Sequence, residues 1–200
     1  MTGSTGDTRS RIQAVALELF TEQGYEKTSL REIAERLGVT KAALYYHFKS
    51  KDDIVNSFVS DRIERLDRLI EWAGQQPVDA AGRRAVLQRY SEEFFGDTGH
   101  SVMQFFEQNR TVLTHLASGQ MMKDRLLRVA EVLSRADPSP AGQLRATLAI
   151  FAVHGSMFAL RGPEITVEQR KQLALDVAYE MLDRIGASAA EDGTQTALRS

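Results

Sequence analysis

Residues 28–51 read TSLREIAERLGVTKAALYYHFKSK, and within them YYHFKSK (45–51) sets two tyrosines, a histidine and two lysines close together with no acid to balance them. Leu30, Ile33, Ala34 and Leu37 recur at helical spacing, Ser29 and Glu32 stand where a capping box starts a helix, and Gly38 stands where a helix stops. Thr40 can cap a second, short helix in which Leu44 and Phe48 share one face, so Lys41, Ala42, Ala43, Tyr45, Tyr46 and His47 point elsewhere. Two helices joined by a glycine-centred turn, here LGVT, form a helix-turn-helix, whose second helix fits the major groove of DNA.

Upstream, Ile12, Val15, Ala16, Leu19 and Phe20 form one apolar stripe on a first helix that ends at Gly24. Downstream, Ser50 and Asp53 open a long helix through about Trp72 with apolar positions Ile54, Phe58, Ile63, Leu66 and Leu69. Past the breakers at Gly74 and Pro77 the periodicity predicts helices near 79–95, 100–117, 119–136, 141–161 and 166–186, and no alternating strand pattern interrupts them. The fold class is all-α. Residues 1–51 are expected to form the DNA-binding domain with a flexible arm at 1–7, residues 52–186 a helical ligand-binding and dimerisation domain, and 187–200 a flexible tail.

Composition narrows the chemistry. The 200 residues are 42% hydrophobic and 26% charged, ordinary for a globular chain located in the cytoplasm, and the longest apolar run, LAIFAV at 148–153, is too short to cross a bilayer. There is no cysteine, and four scattered histidines are poor metal ligands, so no metal and no cofactor is expected. The net charge of −2 conceals an asymmetry: residues 1–51 carry 8 Lys+Arg against 6 Asp+Glu, and the remainder 17 against 21. Between Thr40 and Lys51 there are three lysines and no acid, a local basic footprint on an acidic molecule.

An exposed tyrosine can lay its ring on the sugar-phosphate wall and donate its hydroxyl to a phosphate, while Ala42 and Ala43 let a helix approach base edges closely. The alternative for each residue singly is a half-buried aromatic or a solvated charge; for Arg31 it is an i,i+4 pair with Glu35. The capping residues, the turn and the missing acids together favour the nucleic-acid reading.

The segment TSLREIAERLGVTKAALYYHFKSKDDI resembles the DNA-binding signature of the TetR/AcrR family of bacterial transcription regulators, a resemblance covering about residues 9–60. It implies Arg31 and Lys41 as base contacts and Thr28, Ser29, Thr40, Tyr45, Tyr46, His47 and Lys51 mainly as phosphate clamps. It also implies a homodimer on a palindromic double-stranded operator, and repression.

Dimer geometry would place two reading helices one helical turn apart, and the last two helices suit the interface. Leu173, Val177, Met181, Leu182 and Ile185 form a stripe, and Ala149, Ala152, Gly155, Ser156 and Ala159 are small enough for close helix approach. Phe94, Phe95, Met103, Phe105, Phe106, Met121, Met122, Phe151, Met157 and Phe158 are mostly core. With the polar groups of Gln104, Asn109, His115 and His154, some of them are candidates to line a pocket for a small apolar or amphipathic ligand. The candidate lining is Phe94, Met103, Phe105, Phe106, Asn109, His115, Met121, Phe151 and His154.

Two rivals remain open: a DNA-binding regulator without a small-molecule ligand, and a small helical enzyme. For the enzyme, HGS at 154–156 offers a base beside a nucleophile, but adjacent helical residues diverge by about 100°, and GxSxG, phosphate-loop and HExxH motifs are missing.

Overall fold

A computed structural model describes residues 5–96, 99, 101–102, 105, 118–160, 162 and 164–185. Every regular element among them is helical: α1 (Thr5–Gln23), α2 (Leu30–Leu37), α3 (Lys41–His47), α4 (Lys51–Gly74), α5 (Ala80–Phe95), α6 (Ser118–Leu133), α7 (Pro140–Ala159) and α8 (Val167–Asp183). None of these helices is long and apolar enough to cross a membrane. Two compact units form, one from residues 1–64 with 97–122, the other from 65–96 with 123–200.

The first unit follows the capping chemistry of its sequence. Ser29 Oγ accepts the Glu32 amide at 3.2 Å while Glu32 Oε2 accepts the Ser29 amide at 2.7 Å. Gly38 ends α2 at φ 73°, a left-handed conformation that suits glycine. Thr40 Oγ1 accepts the Ala43 amide at 3.1 Å, starting α3, and Ser50 and Asp53 exchange bonds of 3.0 and 3.1 Å at the start of α4. These caps fix the entry angles; burial supplies the adhesion. Ile12, Ala16 and Phe20 of α1, Ile33 of α2, Leu44 of α3 and Ile54 and Val55 of α4 are fully buried in one cluster.

This unit runs beyond residue 51, because the first half of α4 packs its apolar face into the same core, and Val102 and Phe105 join it. Phe105 lies 5.4 Å from Phe20, 6.1 Å from Tyr25 and 6.3 Å from Phe58 between ring centroids. At the N-terminus, α1 begins at Thr5, within the stretch expected as an arm at 1–7, with Asp7 in its first turn where a negative charge favours the helix dipole; residues 1–4 lie outside the described residues. Most of the helix predicted at 100–117, and the tail from 187, lie outside the described residues.

In the second unit α7 packs along α8, and α5 packs on both. Asp79, Ser139 and Thr166 cap α5, α7 and α8, with Pro140 in the first turn of α7 and Gln169 completing a capping box on α8. Where α7 packs along α8, Ala146, Ala149, Val153 and Ser156 of α7 and Ala174, Leu175, Ala178 and Leu182 of α8 are buried. Small side chains on both sides permit that close approach.

Candidate nucleic-acid interface

Leu44 is fully buried and Phe48 nearly so, which fixes the rotation of α3 and turns the rest of the helix outward. Lys41, Ala42 and Ala43 are exposed, and Tyr46 is 74% exposed, a large aromatic left uncovered on the chain's own surface. Tyr45 and His47 are half-buried at the rim; the Tyr45 ring packs on the core, and His47 meets Tyr46 edge-on at 5.2 Å. Lys41 Nζ sits 5.4 Å from the Tyr45 ring centroid, a cation–π contact that leaves its charge on the outer face.

The polar residues divide by what their donors already do. Thr40 accepts the Ala43 amide, which leaves its own O–H to donate outward. The Ser29 hydroxyl donates to Glu32 Oε2 at 2.7 Å, so a phosphate must displace that carboxylate to take the proton. This bond is the first cause of a Glu32 carboxyl held below its ordinary range. Arg31 Nε is bound to Glu35 Oε1 at 2.7 Å, with both side chains exposed; the hydrogen bond strengthens the hold of the guanidinium on its proton.

Two predicted clamps serve the fold instead. Thr28 is 2% exposed, and its hydroxyl donates inward to the Gly24 carbonyl at 2.9 Å, closing the α1–α2 loop. Lys51 Nζ donates to the Tyr25 and Glu26 carbonyls at 2.6 and 3.3 Å and lies 4.4 Å from the Tyr25 ring centroid, tying that loop to α4. The Tyr25 hydroxyl donates in turn to Asp52; burial first, then that bond, pushes its pKa upward. Of the residues proposed from the sequence, Arg31, Ser29, Thr40, Lys41, Ala42, Ala43 and Tyr46 are exposed, with Tyr45 and His47 half-buried beside them.

Sequence reasoning missed the network behind the interface. Gln13 Nε2 donates to Ser57 Oγ at 2.8 Å and Asp61 Oδ2 at 2.6 Å, and Arg9 reaches Asp61 at 3.5 Å while covering the Phe48 ring at 5.3 Å. Its only signal was a glutamine on the inner side of α1.

The candidate pocket residues are not assembled by what is described. Phe105 is a core residue of the first unit rather than a lining residue, because three rings enclose it. Met121 belongs to the same unit and is 43% exposed. Met103, Gln104, Phe106, Asn109 and His115 lie outside the described residues. Phe94 and His154 do meet: their rings are 4.7 Å apart, and His154 Nε2 is hydrogen-bonded to the hydroxyl of buried Tyr90.

Phe151 is 59% exposed. With Leu144, Leu148 and Phe158 it forms an exposed stripe along α7, joined by Leu173 and Val177 of α8. The small-residue set behaves the opposite way. Ala149 and Ser156 are buried, Ala152 and Gly155 are half-buried, and Ala159 is exposed; Met181 of the α8 stripe is half-buried. Small side chains on α7 permit close helix approach, and α7 packs closely along α8 of the same chain.

The model for the family described as bacterial regulatory proteins, tetR family, matches residues 12–58. The chain is 54% identical over 48 residues to the HTH-type transcriptional regulator AcrR of Shigella flexneri, a match covering 24% of this chain and 22% of that one. To the HTH-type transcriptional regulator TcmR of Streptomyces glaucescens it is 31% identical over 157 residues, 74% of this chain and 70% of that one. Among solved structures, a complex of SmeT with triclosan superposes with TM-score 0.61 at 24% identity, covering 86% of this chain and 89% of that one.

Proposed function

Because this chain belongs to the tetR family of bacterial regulatory proteins, we propose that it is a DNA-binding transcriptional regulator, not an enzyme, that represses a promoter until a small molecule releases it. The observation that carries the reading is the outer surface of α3: Lys41, Ala42, Ala43 and Tyr46 lie exposed over a fully buried Leu44, in a segment holding three lysines and no acid. Small residues permit close approach to base edges, and the tyrosine and lysines supply phosphate contacts.

A lone short reading helix binds weakly, so we place two on successive major grooves of a palindromic operator in the cytoplasm, about 34 Å apart in a homodimer. The exposed stripe of Leu144, Leu148, Phe151, Phe158, Leu173 and Val177 is our choice of interface. Residues 1–51 then provide the DNA contacts and 52–186 the dimer and ligand contacts. The ligand reading is supported by Tyr90, His154 and Phe94, a polar pair set against aromatic rings, which suits a small apolar or amphipathic molecule. A ligand releases DNA only through a difference in affinity between the two states of the dimer.

Titration of the purified protein against its own upstream promoter region tests this. Binding should weaken steeply with salt. Lys41→Ala should change the preference among operator variants, whereas Tyr46→Phe should weaken all sequences alike by loss of one phosphate bond. No complex at low ionic strength would remove the proposal.

A further inference from the structure

From α2 to the first residue of α4 the cations are Arg31, Arg36, Lys41, Lys49 and Lys51, and they are committed to different degrees. Arg36 pairs with Glu18 and Glu22 of α1 at 3.6 and 3.4 Å, Lys49 Nζ donates to the Tyr45 carbonyl at 2.6 Å, and Lys51 is bound to the α1–α2 loop. Lys41 rests on the Tyr45 ring. Arg31 is held at one point: its Nε donates to Glu35 Oε1 at 2.7 Å, while Nη1 and Nη2 meet no acceptor among the described residues.

The Arg31–Glu35 pair sits on a flank of α2 that α1 leaves uncovered. Ile33 and Ala34 are buried and Arg36 turns to α1, whereas Arg31 and Glu35, about 40° apart around the helix, have side chains 80% and 60% exposed. An exposed ion pair adds little to folding stability, and a carboxylate on a surface that meets DNA repels phosphate. Neither fact favours an acid at position 35, but its effect on Arg31 does. With Nε held, the far edge of the guanidinium remains a two-donor fork, which matches O6 and N7 of guanine. A phosphate also suits that fork, yet it brings a full negative charge towards Glu35, whereas the guanine edge is neutral.

We propose that Glu35 is a specificity-determining residue: a positioning residue that aims the Arg31 fork at a guanine edge and keeps it off the backbone phosphates. The proposal rests on the DNA-binding reading and assigns to one side chain the selection of sequence. Such a device lowers affinity for DNA in general and raises the ratio between right and wrong sites, as a repulsive element does in other specific interfaces.

Equilibrium binding of the full chain to single-base-pair variants of its own upstream promoter fragment tests this. At the position where Arg31→Ala erases discrimination, the wild type should prefer guanine by about tenfold or more. Glu35→Ala should cut that preference to about threefold or less, bind scrambled DNA of equal length more tightly, and steepen the salt dependence by about one phosphate contact. In an Arg31→Ala background, Glu35→Ala should leave every preference as it is, which separates action through Arg31 from readout by Glu35 itself. Both side chains are exposed, so thermal melting should report folded variants throughout. Three results would each overturn the assignment: a Glu35→Ala profile parallel to wild type at every position, no position erased by Arg31→Ala, or preferences in the double variant that differ from those of Arg31→Ala. Absence of any wild-type complex would instead remove the regulator reading on which it stands.

Discussion

Phe151 offers the sharpest test of how the chain associates. With about 200 Å² for an aromatic side chain and 59% of Phe151 exposed, roughly 120 Å² per copy is left for a partner to cover. At about 25 cal/mol per Å² that is about 3 kcal/mol per protomer. A two-fold interface counts the residue twice, for about 6 kcal/mol. Replacing it by alanine keeps the Cβ and lets neighbours settle, so about half of that, roughly 3 kcal/mol, should be lost, a weakening of the dimer of about a hundredfold. Sedimentation equilibrium over a dilution series measures this directly. Phe151→Glu, which adds a charge to each side of the interface, should leave monomers at concentrations where the wild type is dimeric. Both variants should fold, because the side chain makes little of its own unit's core. A dimer of unchanged affinity in Phe151→Glu would show that this face is not the interface, whatever else holds two copies together.

The turn and the cap of the first unit give further expectations. Gly38 stands at φ 73° with nothing within 4 Å of an added Cβ, so Gly38→Ala should cost about 1–2 kcal/mol from backbone strain alone. Gly38→Asn should cost less, both being read from urea unfolding curves, and an Ala variant as stable as wild type would show that the turn relaxes. Glu32 has its carboxyl pKa lowered first by the Ser29 hydroxyl and then by the Ser29 amide. A carboxyl depressed in the folded state contributes stability that is complete above its ordinary unfolded pKa, about 4.3, and lost as pH falls through the folded value. Part of the loss of thermal stability between about pH 5 and pH 3 should therefore vanish in Glu32→Gln; an identical pH slope in the two proteins would remove the cap from the account.

Local signals made the first unit legible. Capping residues, a glycine that needs a left-handed turn and a stripe repeating every three to four residues specify short helices almost one residue at a time, and Ser29, Gly38, Thr40 and Ser50 stand in the roles their side chains suggest. What those signals do not carry is the fate of a polar group once the chain has closed. Thr28 looked like a neighbour of Ser29 on one surface, yet its hydroxyl points inward to Gly24, and Lys51 is drawn to the loop carbonyls at Tyr25 and Glu26. The Thr28 bond is set by the conformation of the α1–α2 loop, and the Lys51 bonds by where that loop lies relative to α4, a long-range relation that sequence spacing does not encode.

The second unit shows a different ambiguity. α7 carries two apolar faces: Ala146, Ala149, Val153 and Ser156 on one, Leu144, Leu148, Phe151 and Phe158 on the other. Hydrophobic periodicity registers that both faces avoid water without saying which is met by the same chain and which by another molecule. Side-chain size resolves it once α8 is in place. Alanine and serine allow two backbones joined by a short link to lie close, a geometry that a covalent connection delivers without loss of translational freedom. Bulky leucine and phenylalanine side chains left 40–59% exposed instead offer the area needed to offset the cost of bringing two separate bodies together. The small residues Ala146, Ala149 and Ser156 are therefore buried within the chain. Phe151, bulky enough to suit a pocket lining, lies 59% exposed on the other face of α7, where the proposed second copy would cover most.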